Sequence, residues 1–341
     1  MSTLKPTVSE AGEKPENLPK SRIDLPSLVR RIIWDRPLLL IALIVLLSIF
    51  MTFRHPEAFP HADNFAAVLL DTAQGGILTV GMMILLVGGV FDLSIGSTLA
   101  FAGIVAGVLV KDIGTPPLIA FLAGLATGLV VGIINGLIIT RLRINALITT
   151  LAMQGILRGV TQIVSASGVA NLPEGFKPFG QTMILGLQSP FWIMLVVAVL
   201  GWFAMSRTRF FRQFYYIGSN PRAATLSGIK VDRMVLVGFS LMGLLAGLAG
   251  TLLASRLSNA VVLAGNGVEL RSITAAILGG ASLSGGMGTI PGAFLGVLFM
   301  SLIQNMLIIT RVPVFYQSIV VGIVLLAAIG IDQLGRGKRG A

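Results

Sequence analysis

Residues 206–233 read SRTRFFRQFYYIGSNPRAATLSGIKVDR, the longest polar interval with internal order in a chain otherwise built from apolar runs. No acid precedes Asp232 within it, whereas Arg207, Arg209, Arg212, Arg222, Lys230 and Arg233 supply six positive charges. Asn220-Pro221 reads as a helix start, because proline in the first turn gives up only an N–H that has no intrahelical partner there. The helix is expected to run from Arg222 to Leu226 or Ser227, with Gly228 as its stop. Apolar runs on both sides make the interval a loop between membrane spans, and its charge assigns it to the cytoplasmic side. It is either an ordinary cytosolic connector or a docking element for another protein, and a connector has no need of a defined helix.

Composition points the same way. The 341 residues are 55% hydrophobic and 11% charged, with mean hydropathy +0.90, whereas soluble domains carry about 25% charged residues. The expected class is an all-α integral membrane protein with one membrane domain over 37–331, a polar tail at 1–36 and a basic tail at 332–341. The net charge of +11 is spread over the short segments between apolar runs, as lipid orientation requires, so lipid and not nucleic acid is the expected surface partner. Cysteine is absent, which removes disulfides, thiolate metal sites and a cysteine nucleophile. The two histidines, His55 and His61, flank Pro56 and Pro60 without a third ligand, so neither metal nor cofactor is expected. The first 36 residues are too long and too acidic for a cleavable signal. They read as a disordered cytoplasmic tail to about Pro26, with Ser27–Trp34 as an amphipathic interfacial helix.

Ten spans are predicted: 37–53, 65–87, 95–110, 118–139, 146–164, 190–205, 234–255, 271–287, 289–309 and 313–331. Both termini then fall in the cytoplasm, and the N-terminal tail, the 140–145 turn, the 206–233 loop and the C-terminal tail hold 18 of the 25 Lys and Arg residues. The stretch 271–287 is open between a full span and a re-entrant segment. Two glycine-rich breaks interrupt the pattern. GGVFDLSIGS (88–97) contains Gly88, Gly89 and Asp92, and GGASLSGGMG (279–288) contains Gly279, Gly280, Gly285 and Gly286. Both predict irregular or gating backbone, which at membrane depth must be buried in protein or face a cavity. Asp92-Leu93-Ser94 is placed to cap the helix that follows. Glycines at 124, 128, 132 and 136 share one helical face and predict close packing within the chain in preference to a dimer contact.

Within the spans, Gln154, Arg158 and Gln162 form a stripe at i, i+4 and i+8. Arg158 must face the bundle, water or a headgroup. Glu269 and Arg271, at the end of the 256–271 outer segment, are expected to pair. Although the second break resembles a phosphate loop in its glycine content, no lysine lies between Lys230 and Lys338, so ATP hydrolysis is not expected in this chain.

FDLSIGS (91–97), NGLIITRLRIN (135–145), YIGSNPRAATLSGIKVDR (216–233) and ELRSITAAILGGASLSGGMGT (269–289) carry a resemblance. Over about residues 65–331 the chain resembles the membrane-spanning permease subunits of bacterial ABC importers of the ribose type. The resemblance implies a homodimer in the bacterial inner membrane that forms the translocation path for a simple sugar or related polyol. It also implies cytoplasmic ATP-binding subunits and an extracytoplasmic sugar-binding protein. It maps a coupling helix, seated in a groove of the ATPase, onto Asn220, Pro221, Arg222, Ala223, Ala224 and Gly228. Ala293 and Asn305-Met306 depart from the family pattern, which commonly has a small polar residue or threonine at the first place and Asn-Gly at the second. An uncharged polar solute needs hydrogen-bonding groups without deep electrostatic wells, which makes Asp71, Gln74, Gln154, Gln162, Gln304 and Asn305 the path candidates. Each has a structural alternative, satisfying a neighbouring helix. The competing class is an ion- or proton-coupled secondary transporter, for which only Asp71 and Asp92 offer carboxylates, both near span ends.

Overall fold

The computed structural model describes residues 36–337. The expected N-terminal tail with its interfacial helix, and the basic residues from 338 onward, lie outside the described residues.

Among the described residues there are thirteen helices. In chain order they begin with α1 (Arg36–Arg54), α2 (Ala62–Val87), α3 (Ile95–Lys111), α4 (Pro117–Arg141) and α5 (Ala146–Val164). A short α6 (Pro178–Gln181) precedes α7 (Ser189–Arg207), α8 (Arg209–Ser219), α9 (Pro221–Leu226) and α10 (Val231–Leu257). The last three are α11 (Val268–Leu278), α12 (Ile290–Ile309) and α13 (Val314–Gly337). A hairpin of β1 (Met183–Ile184) and β2 (Leu187–Gln188) turns through Leu185 and Gly186, both at positive φ, the backbone that a two-residue hairpin loop demands.

Seven helices, α1, α2, α4, α5, α7, α10 and α12, are long and apolar enough to cross a membrane. The stretch 271–287 does not form the single helix that a full span requires. Its helix ends at Leu278, and Gly280, Gly285, Gly286 and Gly288 then take positive φ. An 11-residue helix rises about 16 Å, roughly half the hydrocarbon thickness of a bilayer.

α2 is the axis of the bundle. Of its most apolar window 72% is buried within the chain, against 11% for the peripheral α1. The most extensive helix contact is α4 on α10, and the glycine ladder makes it. A Cβ on Gly128 would lie 2.2 Å from the Gly243 carbonyl oxygen, and one on Gly132 would lie 2.2 Å from that of Phe239. Reciprocally, a Cβ on Gly243 would meet the Gly128 oxygen at 2.2 Å. The two backbones are in direct contact, the arrangement that small residues permit between helices in lipid.

The connections separate into two faces. One carries 88–94, 142–145, 208–230 and 279–289 and holds Arg141, Arg143 and the basic loop. The opposite face carries 112–116, 165–188 and 258–267, where Val169 bridges Ala260 and Lys111 donates to the Ala170 carbonyl at 2.5 Å.

Candidate functional site

Because α2 runs through the interior, each polar residue in its apolar sequence has to be met by a neighbour. Asp71 is met by Arg271 of α11, whose Nη2 donates to Oδ2 and whose Nη1 donates to Oδ1 at 3.4 Å. The pair keeps part of its surface open and borders a cavity of about 50 Å³, lined also by Gln74, Thr79, Ser272 and Met300. The buried hydroxyls of Thr79 and Ser272 have no hydrogen-bond partner among the described residues. The space holds a few waters at about 10–15 Å³ each. Gln74 also borders a smaller cavity of about 10 Å³ shared with Arg256, and the Asp71 carboxylate acts on Arg256 as well. The structure thus brings two path candidates, Asp71 and Gln74, into one cavity of mixed polar and apolar lining.

Arg271 pairs with Asp71 and not with Glu269, contrary to the expectation from sequence. The reason is helical geometry: residues two apart on a helix point to different sides. Glu269 is buried, 7% exposed, and accepts from Gln154 Nε2 at 3.2 Å. Arg158 donates through Nη1 to the carbonyls of Val262 (2.8 Å) and Ala264 (3.0 Å), and it lies within the field of Glu269. Gln154, Arg158 and Glu269 therefore form a second polar cluster between α5 and the start of α11. Gln162, farther along the same stripe, is exposed.

The other candidates have structural partners. Gln304 Nε2 donates to Gln317 Oε1 of α13, and Asn305 Nδ2 donates to Asn64 Oδ1 of α2 at 2.7 Å. Asp92 does not cap α3. Its Oδ1 accepts from the Ser94 N–H (2.7 Å) and hydroxyl (2.6 Å), and Asn135 Nδ2 donates to Ser94 Oγ at 3.0 Å. Ser94 occupies the cap position with no side-chain bond to a helix N–H, so the carboxylate organises the turn before the helix.

On the basic face, α9 spans Pro221–Leu226, capped by Asn220 Oδ1 accepting from Ala223 N–H at 3.0 Å and stopped by Gly228 at φ +83°. Ala223 is exposed and Leu226 is 90% exposed, but Ala224 is 4% exposed, buried within the chain. Ala224 thus supports the helix from beneath while Ala223 and Leu226 form its outward surface.

The sequence reading had no helix at α8, although Phe210, Phe211, Phe214 and Ile217 carry the required periodicity. Phe214 and Ile217 are buried while Arg209, Arg212 and Tyr216 stay exposed, so α8 lies with one face on the bundle. It holds both glycine-rich breaks together. Gly286 N–H donates to the Val87 carbonyl at 2.8 Å, and Tyr215 Oη donates to the Gly288 carbonyl at 2.8 Å. Burial raises the Tyr215 pKa, which keeps this phenol a donor. A Cβ on Gly218 would stand 1.9 Å from the Val87 oxygen and 2.4 Å from the Gly286 nitrogen. Only glycine fits where α8 crosses the two breaks.

A family model described as branched-chain amino acid transport system / permease component matches residues 64–329. The ribose import permease protein of Escherichia coli K12 is 39% identical over 299 residues, covering 86% of this chain and 92% of that protein. The L-arabinose ABC transporter permease protein of Azospirillum brasilense is 39% identical over 279 residues, covering 82% of each. The D-allose transport system permease protein of E. coli K12 is 34% identical over 303 residues, covering 88% of this chain and 92% of that protein. No solved structure matches. With its bundle matched from the start of α2 into α13, this chain belongs to the permease-component family of ABC importers, among the relatives that import sugars.

Proposed function

We propose that this chain passes a simple sugar or related small polyol through the membrane as the permease of an ATP-driven importer, with hydrolysis carried out by a separate cytoplasmic subunit. The observation that carries this reading is the cavity among α2, α11 and α12, where polar side chains stand among apolar ones. Asp71 and Arg271 answer each other's charge there, while Gln74, Thr79 and Ser272 supply neutral hydrogen-bonding groups. Such a lining suits hydroxyls better than a zwitterion, which needs unspent charges of both signs. The relatives named for ribose, arabinose and allose favour the same substrate class over the amino acids in the family description. The cavity is smaller than a sugar ring, so passage requires α11 to separate from α2. The second polar cluster, with Gln154 half-buried on α5, continues the path.

The finer assembly follows from the charge distribution and the family. The basic face lies in the cytoplasm of a bacterial inner-membrane protein with ten crossings, one of them made by α11 together with 279–289. Two copies form the pathway. α9, flanked by Asn220 and Gly228, docks on the ATPase, and a secreted binding protein delivers solute to the opposite face. The breaks at 88–94 and 279–289 serve as the gate.

The test is uptake of radiolabelled ribose, arabinose, allose and leucine by cells expressing the whole importer, with and without Gln74→Leu. Sugar uptake that survives collapse of the proton gradient but stops with a Walker-lysine variant of the ATPase is expected. Gln74→Leu should slow it at normal permease levels. Uptake of leucine alone would replace the substrate class, and dependence on the proton gradient instead of ATP would place the chain among secondary transporters.

A further inference from the structure

At the ends of α4 and α10 the basic face opens into a groove of about 1060 Å³ lined by Arg141, Arg143, Arg222, Lys230 and Arg233. All five cations are exposed. Among the described residues Asp232 is the sole acid lining the groove, and it is already engaged: Arg143 Nη1 and Nη2 donate to its two oxygens at 2.8 and 2.9 Å. Arg143 holds this bidentate geometry from a left-handed backbone, φ +58°, a conformation that side-chain-bearing residues rarely adopt. The ion pair ties the 142–145 turn to the first turn of α10 and leaves Arg141, Lys230 and Arg233 without an acidic partner among the described residues.

We propose that this groove binds the phosphate headgroup of an anionic phospholipid. Its depth selects lipid over an acidic protein segment. Arg141 is the last residue of the candidate span Pro117–Arg141, and Lys230 immediately precedes the candidate span Val231–Leu257. These cations therefore sit where hydrocarbon gives way to headgroups. Leu142, next to Arg141, is 67% exposed, and an apolar side chain interleaved with arginines fits a lipid interface better than an aqueous protein surface. Clustered Lys and Arg next to span ends attract anionic lipid, each strengthening binding by about fivefold. The inference rests on this face lying at a membrane surface, which is part of the function proposed above.

The test uses the full chain in nanodiscs of phosphatidylcholine with one-third phosphatidylglycerol, without ATPase or sugar, so that lipid binding is read apart from transport. Native mass spectrometry counts the lipids retained after detergent release. Wild type should retain phosphatidylglycerol over phosphatidylcholine, and millimolar glycerol 3-phosphate should not displace it. The variant Arg141→Gln/Lys230→Gln/Arg233→Gln should lose that preference by about tenfold or more. It leaves the Arg143–Asp232 pair and Arg222 of α9 in place, and circular dichroism and the elution volume should match wild type. Equal retention by wild type and variant would overturn the proposal. Displacement by glycerol 3-phosphate would overturn it in favour of a soluble phosphate site. In a parallel purification of the whole importer from cells, loss of the ATPase from the variant with lipid retention unchanged would overturn the proposal in favour of the protein partner. If the permease fails to import sugar but retains phosphatidylglycerol as described, the transport reading falls and the lipid site stands.

Discussion

Replacing Gly218 with alanine should disconnect α8 from the two glycine-rich breaks while leaving the bundle folded. The added Cβ starts 1.9 Å from the Val87 oxygen and 2.4 Å from the Gly286 nitrogen, and contacts under 3.0 Å essentially do not occur. The helix must therefore retreat from Val87 by about 1.1 Å, and both obstacles are backbone atoms that no rotamer change can move aside. Overpacking of this kind costs about 1–3 kcal/mol, and parting the Gly286–Val87 hydrogen bond costs about 0.5–1.5 kcal/mol more. A local penalty of about 1.5–4.5 kcal/mol corresponds to a rise of about 10- to 2,000-fold in exchange of the Gly286 amide. Hydrogen–deuterium exchange on the purified variant should show that rise over 209–226 and 279–289. Amides of α4, which packs elsewhere, should keep their protection. Because α11 leads directly into 279–289 and carries Arg271, coupled uptake should fall with it. Gly155→Ala is the matched control, since a Cβ there meets nothing within 4 Å. If Gly218→Ala kept wild-type exchange at 279–289 and wild-type uptake, the junction would carry neither packing nor coupling and the reasoning would be wrong.

Other consequences are open to direct measurement. Gly128→Leu or Gly132→Leu drives a side chain into the α10 backbone and should abolish stable expression, whereas Gly159→Ala, which faces open space, should express normally; comparing membrane yields decides it. Ala223→Trp should weaken ATPase co-purification at normal permease levels, while Ala224→Trp, buried at its site, should lower thermal stability first; equal behaviour of the two would refute the outward surface assigned to α9. Asp71→Asn leaves Arg271 short of its counter-charge in a partly exposed site and should cost about 1 kcal/mol, read as a lowered Tm, with partial recovery in Asp71→Arg/Arg271→Asp. Single cysteines at 141 and 219 should resist an impermeant thiol reagent in intact cells, and those at 111 and 175, both exposed, should react; labelling at 219 would invert the topology.

What was legible in the sequence divides by the range of the interaction involved. The α4 ladder could be read from spacing alone, because four glycines on one helical face allow few packings other than a backbone contact. The helix at 221–226 was also legible, since its cap, proline and terminal glycine are local. The partners of buried polar groups were not. Asp71 in an apolar run announces that something must meet it, yet Arg271 lies two hundred residues away. The near neighbour Glu269 misled because proximity in sequence was read without the 200° that separates i from i+2. α8 was missed for a different reason: arginines alternate with its aromatic residues, so charge masked a periodicity that burial of Phe214 and Ile217 makes plain. The two glycine-rich breaks were recognised separately, as places where backbone departs from helix, but nothing local indicated that they meet. Their meeting gives the glycines a second role. Gly89, Gly285 and Gly286 need positive φ to turn, and Gly218, in a regular helix, needs no side chain so that α8 can touch both turns at once. A helix that bears α9 at its end and clamps the segment following α11 links the outward surface of α9 to Arg271 through the close approach of Gly218 to Val87 and Gly286 and the Tyr215–Gly288 hydrogen bond.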